Sequence, residues 1–192
     1  MIKITDWHIV ISGFTQHEGQ MHGCMHLAQT LRALSSPTTF VGLREWDSNW
    51  DRLAEYITLV GEPNARIRVY AYSWGCGNGL VSLATALCKR SLSIEHAVLC
   101  DPVYYSRVKL WLARFIGVLR RGTITIPSCV RRVSWLRQFE NIPGGCDLEG
   151  DAALTSIDAP IELKLRHEQM DEAEDFHRLA LQVAGLQLPI AG

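Results

Sequence analysis

Three residues of this chain, Ser73, Asp101 and His167, carry side chains that can together make a nucleophile at neutral pH. A serine hydroxyl alone is a poor nucleophile there and needs a base within hydrogen-bond reach. Imidazole titrates in that range, and a carboxylate on its far nitrogen fixes the tautomer and stabilises the cation. Each of the three closes or follows a short apolar run: Ser73 after "RIRVYAY", Asp101 at the end of "HAVLCD", His167 just beyond "IELKL". In open parallel sheets, functional groups collect beyond the carboxyl ends of the strands, so residues distant in sequence can meet there.

Each residue also has a plainer occupation. A serine after a strand can cap a helix, an aspartate before Pro102 can serve a turn, and a loop histidine can be merely solvated. The surroundings of Ser73 favour chemistry. Gly75, Gly77 and Gly79 crowd the start of a helical segment, where each costs about 1 kcal/mol relative to alanine. A sharp strand-to-helix turn needs small residues two before and two after its apex, and Ala71 and Gly75 stand there. The Trp74 N–H, at the helix start, would face a developing oxyanion. His177 is the other histidine near the C-terminus, but it falls in mid-helix between Phe176 and Arg178.

The elements that must position these groups alternate. Strands are expected at 7–12, 38–43, 66–72 and 96–101, with late strands at 129–139 and 159–165. Helical spacing covers 19–34, a segment capped by Ser48 that ends near Gly61, 74–90, 104–120 and 170–185, with Gly185 just past the last one. Pro143 to Ala159 reads as a loop. Strands alternating with helices predict an α/β fold, a three-layer α/β/α sandwich around a mainly parallel sheet of about six strands, in one domain over 1–192.

A net charge of −1 with 47% apolar and 20% charged residues fits an ordinary globular chain and gives no reason to expect nucleic acid as a partner. From Arg107 to Arg137 the charges are all basic, and after Glu140 they are mostly acidic. Two solvated faces that partly neutralise each other account for this, an anionic partner over the basic segment being the alternative. No signal peptide or transmembrane run is visible, so a cytoplasmic location is expected. The six cysteines lack close pairing and read as buried free thiols. His22 and His26 are four apart, but without a third evident ligand no metal is expected.

Taken together, the chain resembles the α/β-hydrolase superfamily, in its small, single-domain, cutinase-sized or lipase-like form. "VYAYSWG" looks like the nucleophile elbow, "HIVISGFTQHEG" like the first core strand with its oxyanion loop, "AVLCDPVYY" like the acid strand and "LRHEQMD" like the histidine loop; the order Ser…Asp…His is that of the superfamily. The pattern departs at Ala71, where glycine is usual, at Ser12, where a histidine often precedes the glycine, and in the strand that delivers the acid, so Glu140 and Asp147 are fallback acids. The resemblance implies Ser73 as nucleophile, His167 as base, Asp101 as its orienting acid, and the Phe14 and Trp74 N–H groups as oxyanion donors. Thr15, His17 and Tyr72 are candidate pocket residues. The implied function is cofactor-free cleavage of a small-molecule or lipid-like acyl ester or thioester, with a weakly active or inactive hydrolase-like binding protein as the alternative. The helix at 104–120, wide in its apolar arc and flanked by Lys109, Arg114, Arg120 and Arg121, reads as a core helix, or else as a small lid or interfacial element. Oligomeric state is left open.

Overall fold

The computed structural model describes residues 3–17, 19–104 and 122–187. The helix expected at 104–120, with its lid or interfacial role, lies outside the described residues from its second position onward. So do Arg107, Lys109, Arg114, Arg120 and Arg121.

Alternating apolar positions build the centre of the molecule. The main strands are β1 (Ile4–Ile11), β2 (Thr39–Arg44), β3 (Gly61–Tyr72), β4 (His96–Cys100) and β6 (Arg132–Gln138). They lie in the order β2-β1-β3-β4-β6, every pairing parallel. The short strands β8 (Ser156–Ile157) and β9 (Ile161–Leu163) add to β6 and complete a seven-stranded sheet. A separate parallel pair joins β5 (Thr123–Thr125) to β7 (Asp147–Glu149).

Successive strand residues point to opposite faces, and each face meets its own helices. Trp7, Ile9, Ile67, Val69, Ala97 and Leu99 pack on one side with α2 (Trp50–Val60) and α3 (Val81–Cys88). Val10, Tyr70, Val98 and Leu136 pack on the other with α1 (Gly23–Leu34) and α4 (Glu174–Ala184). The three-layer α/β/α architecture is therefore as expected. The chain runs outward in one direction from β1 to β2 and in the other from β3 to β4, so the order reverses between β1 and β3. Ligand crevices of such sheets open at this reversal, beyond the carboxyl ends.

Several expectations are corrected in detail. Asn49, not Ser48, caps α2, its side chain accepting from the Arg52 N–H at 3.0 Å. α1 begins only at Gly23, after His22. β3 starts at Gly61, because Gly61 already pairs with Ile4 and an irregularity before Asp6 absorbs the extra residues. The stretch 143–159 is not all loop, since β7 and β8 lie in it. The closing helix is divided at Ala173 into a 3₁₀ segment, His167–Glu172, and α4. Cys88 and Cys129 form a disulfide, whereas Cys24, Cys76, Cys100 and Cys146 are free and buried. The two partners sit at the end of α3 and just ahead of β6, a separation of 41 residues that leaves no local spacing signal.

The charge segregation proves partly self-neutralising. Arg132 pairs with Asp158 at 3.1 Å, and Arg137 with Asp147 at 3.2 Å and Glu162 at 2.8 Å. Among the described residues, no helix is long and apolar enough to cross a membrane.

His8, buried in β1, shares a 2.8 Å hydrogen bond with Tyr70. Burial, reinforced by the Arg68 charge and opposed by Asp6, lowers its imidazole from 6.5 to about 4. The unfolded chain therefore binds a proton on His8 at a pH where the folded chain refuses it. The stabilisation is complete above pH 6.5 and is lost as the pH falls to 4, on the order of 3 kcal/mol from this group. Urea midpoints measured from pH 7 to pH 4 should fall less steeply for His8→Gln than for the wild type; parallel profiles would show that His8 carries none of the slope.

Candidate active site

Ser73 sits where β3 must turn into a helix. Its φ of +54° lies in the left-handed region that side chains seldom adopt. Three backbone bonds hold it there. The Ser73 N–H donates to the Cys100 carbonyl at 3.0 Å, and its own carbonyl accepts from Cys76 at 3.0 Å and Val103 at 3.1 Å. Such over-determination is what keeps a strained residue in place. Gly75 answers a second constraint, since a Cβ there would stand 2.7 Å from the Ile11 carbonyl and 2.8 Å from that of Ser12. The helix expected from residue 74 is a π-helical turn over Gly75–Leu80 and becomes α-helical only at Val81. π turns recur at functional sites.

The three chemically suggestive residues converge. Ser73 Oγ is 2.9 Å from His167 Nε2, and His167 Nδ1 is 2.5 Å from Asp101 Oδ2. The carboxylate accepts from Nδ1–H, which leaves the Nε2 lone pair for the serine proton. Asp101 is fully buried, follows β4, and also has positive φ, +43°. The fallback acids stand apart: Glu140 is exposed, and Asp147 is paired with Arg137.

The support around this chain of bonds was not legible in the sequence. Gln138, fully buried at the end of β6, donates from Nε2 to Asp101 Oδ2 at 3.0 Å and from its backbone to Oδ1 at 3.3 Å. The same amide bonds the carbonyls of Asn141 and Pro143, and its oxygen accepts from the Glu140 and Asn141 N–H groups. Asn141 Oδ1 in turn accepts from the His167 N–H at 2.7 Å. Gly145 closes in on the acid, since a Cβ there would lie 2.5 Å from Asp101 Oδ1. The sequence signal was faint, since Gln138 closes a strand that already carries Arg132, Ser134 and Arg137.

Tyr72, a candidate pocket residue, is buried behind the histidine, donating its hydroxyl to the His167 carbonyl at 2.8 Å with the two rings stacked 5.1 Å apart. Burial, with Asp171 nearby, pushes its phenol well up, so the hydroxyl stays a donor. Gly13 packs on Ser73, since a Cβ on it would lie 3.2 Å from Ser73 Cβ. The loop carrying Phe14 thus runs beside Ser73. The exposed Phe14 ring lies 4.8 Å from Trp74 and 5.6 Å from Trp46. Trp74, Val103 and Trp46 form an apolar cluster separate from both faces of the sheet. Thr15 is exposed, and His17 lies at the rim, 3.4 Å from Glu45. Ser12 and Ala71 have occupations of their own. Ser12 Oγ donates to the Gln16 carbonyl at 3.0 Å, and Ala71 is buried in the sheet.

His26 is exposed and does not join His22. Instead His22, Cys24 and Asp171 bring ligand-type atoms within 4.8 Å of one another. His22 Nδ1 already accepts from the Met25 N–H at 3.3 Å, so a neutral ring carries its proton on Nε2 and offers no free lone pair. Burial holds the Cys24 thiol well up and therefore protonated. Among the described residues His22 Nε2 has no hydrogen-bond partner and the Asp171 carboxylate is engaged by Gln16, and we assign no ion to the cluster.

Replacing Gln138 with leucine removes a donor from the buried carboxylate and leaves two backbone N–H groups without their acceptor. Gln138→Leu should cost about 2–4 kcal/mol in urea unfolding, and the downfield proton resonance of His167 Nδ1–H should shift or broaden. An unchanged resonance would mean that Gln138 does not hold Asp101. Compared with protein-family models and with curated proteins, the chain finds no match in either.

Proposed function

We propose that this protein is a serine hydrolase of the small α/β-hydrolase type that cleaves carboxylic esters or thioesters through an acyl-enzyme. The observation that carries the reading is the chain of hydrogen bonds Ser73–His167–Asp101, at 2.9 and 2.5 Å, on a strained elbow at the reversal of strand order. In the first half-reaction His167 Nε2 takes the Ser73 proton as Oγ attacks the acyl carbon. Asp101 keeps the proton of Nδ1 facing inward and stabilises the imidazolium. The N–H groups of Phe14 and Trp74 hold the tetrahedral oxyanion. His167 then protonates the leaving alcohol or thiol, and a water activated by the same nitrogen releases the acid.

Electrostatics and packing support each part. The elbow helix presents its positive end to the developing charge, and Gly13 brings the donor loop against the nucleophile. The aromatic cluster of Phe14, Trp46 and Trp74 beside Ser73 favours an apolar group next to the scissile carbonyl.

A fluorophosphonate probe should label the wild type and not Ser73→Ala. Asp101→Asn, which supplies the wrong partner to Nδ1, should lower kcat on a reactive ester by about four orders of magnitude. Equal labelling of wild type and Ser73→Ala, or none in either, would sink the mechanism and favour a non-catalytic binding protein. Across a p-nitrophenyl ester series, Trp46→Ala should raise KM about tenfold for long or aromatic acyl groups and little for acetate, given about 1.4 kcal/mol per tenfold. A uniform effect over the series would remove the aromatic cluster from substrate recognition.

A further inference from the structure

The loop after β1 and the turn that begins at His167 come from opposite ends of the chain, yet a single side chain joins them. Gln16 Oε1 accepts from the Gly13 N–H at 3.1 Å, and its Nε2 donates to Asp171 Oδ2 at 2.7 Å. Its backbone is fixed as well, its N–H bonded to the Gly13 carbonyl at 3.2 Å and its carbonyl to Ser12 Oγ at 3.0 Å. Asp171 lies four residues beyond His167 in the same 3₁₀ segment and is 2% exposed. A carboxylate so deeply buried holds its donors tightly, because losing one leaves charge without solvent or partner. The Asp171 backbone is also wedged against α1, where a Cβ on Gly23 would stand 2.1 Å from its carbonyl oxygen, and that oxygen accepts from His177 Nε2 at 2.8 Å. The Asp171 end of the link is therefore rigid. The Gln16 end belongs to the short loop that carries Phe14.

We propose that Gln16 is a positioning residue that locks the oxyanion loop to the histidine turn through Asp171, so that donor and base are set by one linkage. This rests on the hydrolase reading above. Among the described residues no hydrogen bond joins Gln16 to Ser73 or His167; it acts through Gly13 on one side and Asp171 on the other. Its amide suits both tasks, one end accepting and the other donating. Glutamate at 16 can still accept from Gly13 but meets Asp171 with like charge. The double exchange Gln16→Glu with Asp171→Asn reverses the polarity, the new amide donating to the new carboxylate, and conserves net charge.

The experiment compares wild type, Gln16→Glu and the double exchange by ester kinetics and by hydrogen–deuterium exchange over 12–17 and 166–172. Gln16→Glu should lower kcat by one to two orders of magnitude, the usual cost of about 1 Å of misplacement, with KM within about twofold. Exchange should quicken in both segments together. The double exchange should recover most of the rate and the protection in both. A wild-type kcat in Gln16→Glu, or faster exchange in the 12–17 segment alone, would overturn the linkage. So would recovery of thermal stability without recovery of rate. If the wild type has no Ser73-dependent turnover, the hydrolase reading fails by itself, and the paired exchange behaviour still decides whether Gln16 couples the two segments.

Discussion

The buried carboxylate of Asp101 is the constraint around which the rest of the site is arranged. A charge with no solvent exposure is tolerable only while donors surround it. Here those donors are an imidazole, a side-chain amide and a backbone N–H, drawn from two separate parts of the chain. Satisfying Asp101 therefore orders the end of β6 and the loop that follows it, and it fixes the orientation of the His167 ring. The positive φ at Asp101, like that at Ser73, is a local cost offset by this shared network.

Such a network needs a rigid floor, which the parallel sheet supplies. Strands buried on both faces have little freedom to shift, since a slip of one residue would exchange the residues packed on α2 and α3 for those packed on α1 and α4. With that floor fixed, the loops that carry Gly13, Ser73 and Asp101 all leave from one edge. The tight places at this edge are occupied by glycines where backbone meets backbone, as at Gly75, and where backbone meets the acid, as at Gly145.

The broad architecture was legible because its cause is local. Runs such as "HIVIS" and "AVLC" are strand-length apolar segments, and the helical faces repeat on their own period. Ser73, Asp101 and His167 were legible because they stand at the ends of such runs. What escaped depends on contacts between distant parts. Gln138, Asn141 and Gly145 matter only because Asp101 and His167 happen to lie beside them. Cys88 gives no sign of Cys129 until α3 and β6 are placed side by side. The bracing of His167 by Tyr72 escaped too, because it depends on the alternation of β3, which turns the tyrosine to the face on which the histidine turn is seated. The small strands β5, β7 and β8 are too short to carry a period at all.

The π turn after Ser73 separates two demands that an α-helix would bind together. It holds one residue more than an α-helical turn, so everything downstream is out of phase by about 100° with the helix that would otherwise continue. Upstream of that surplus residue, the frame is set by the serine and the first N–H. Downstream, Leu83, Ala84 and Leu87 take the frame that the sheet requires. The orientation of Ser73 and the packing of the helix after it are in this way adjusted separately, as two gears are when a slip coupling lies between them.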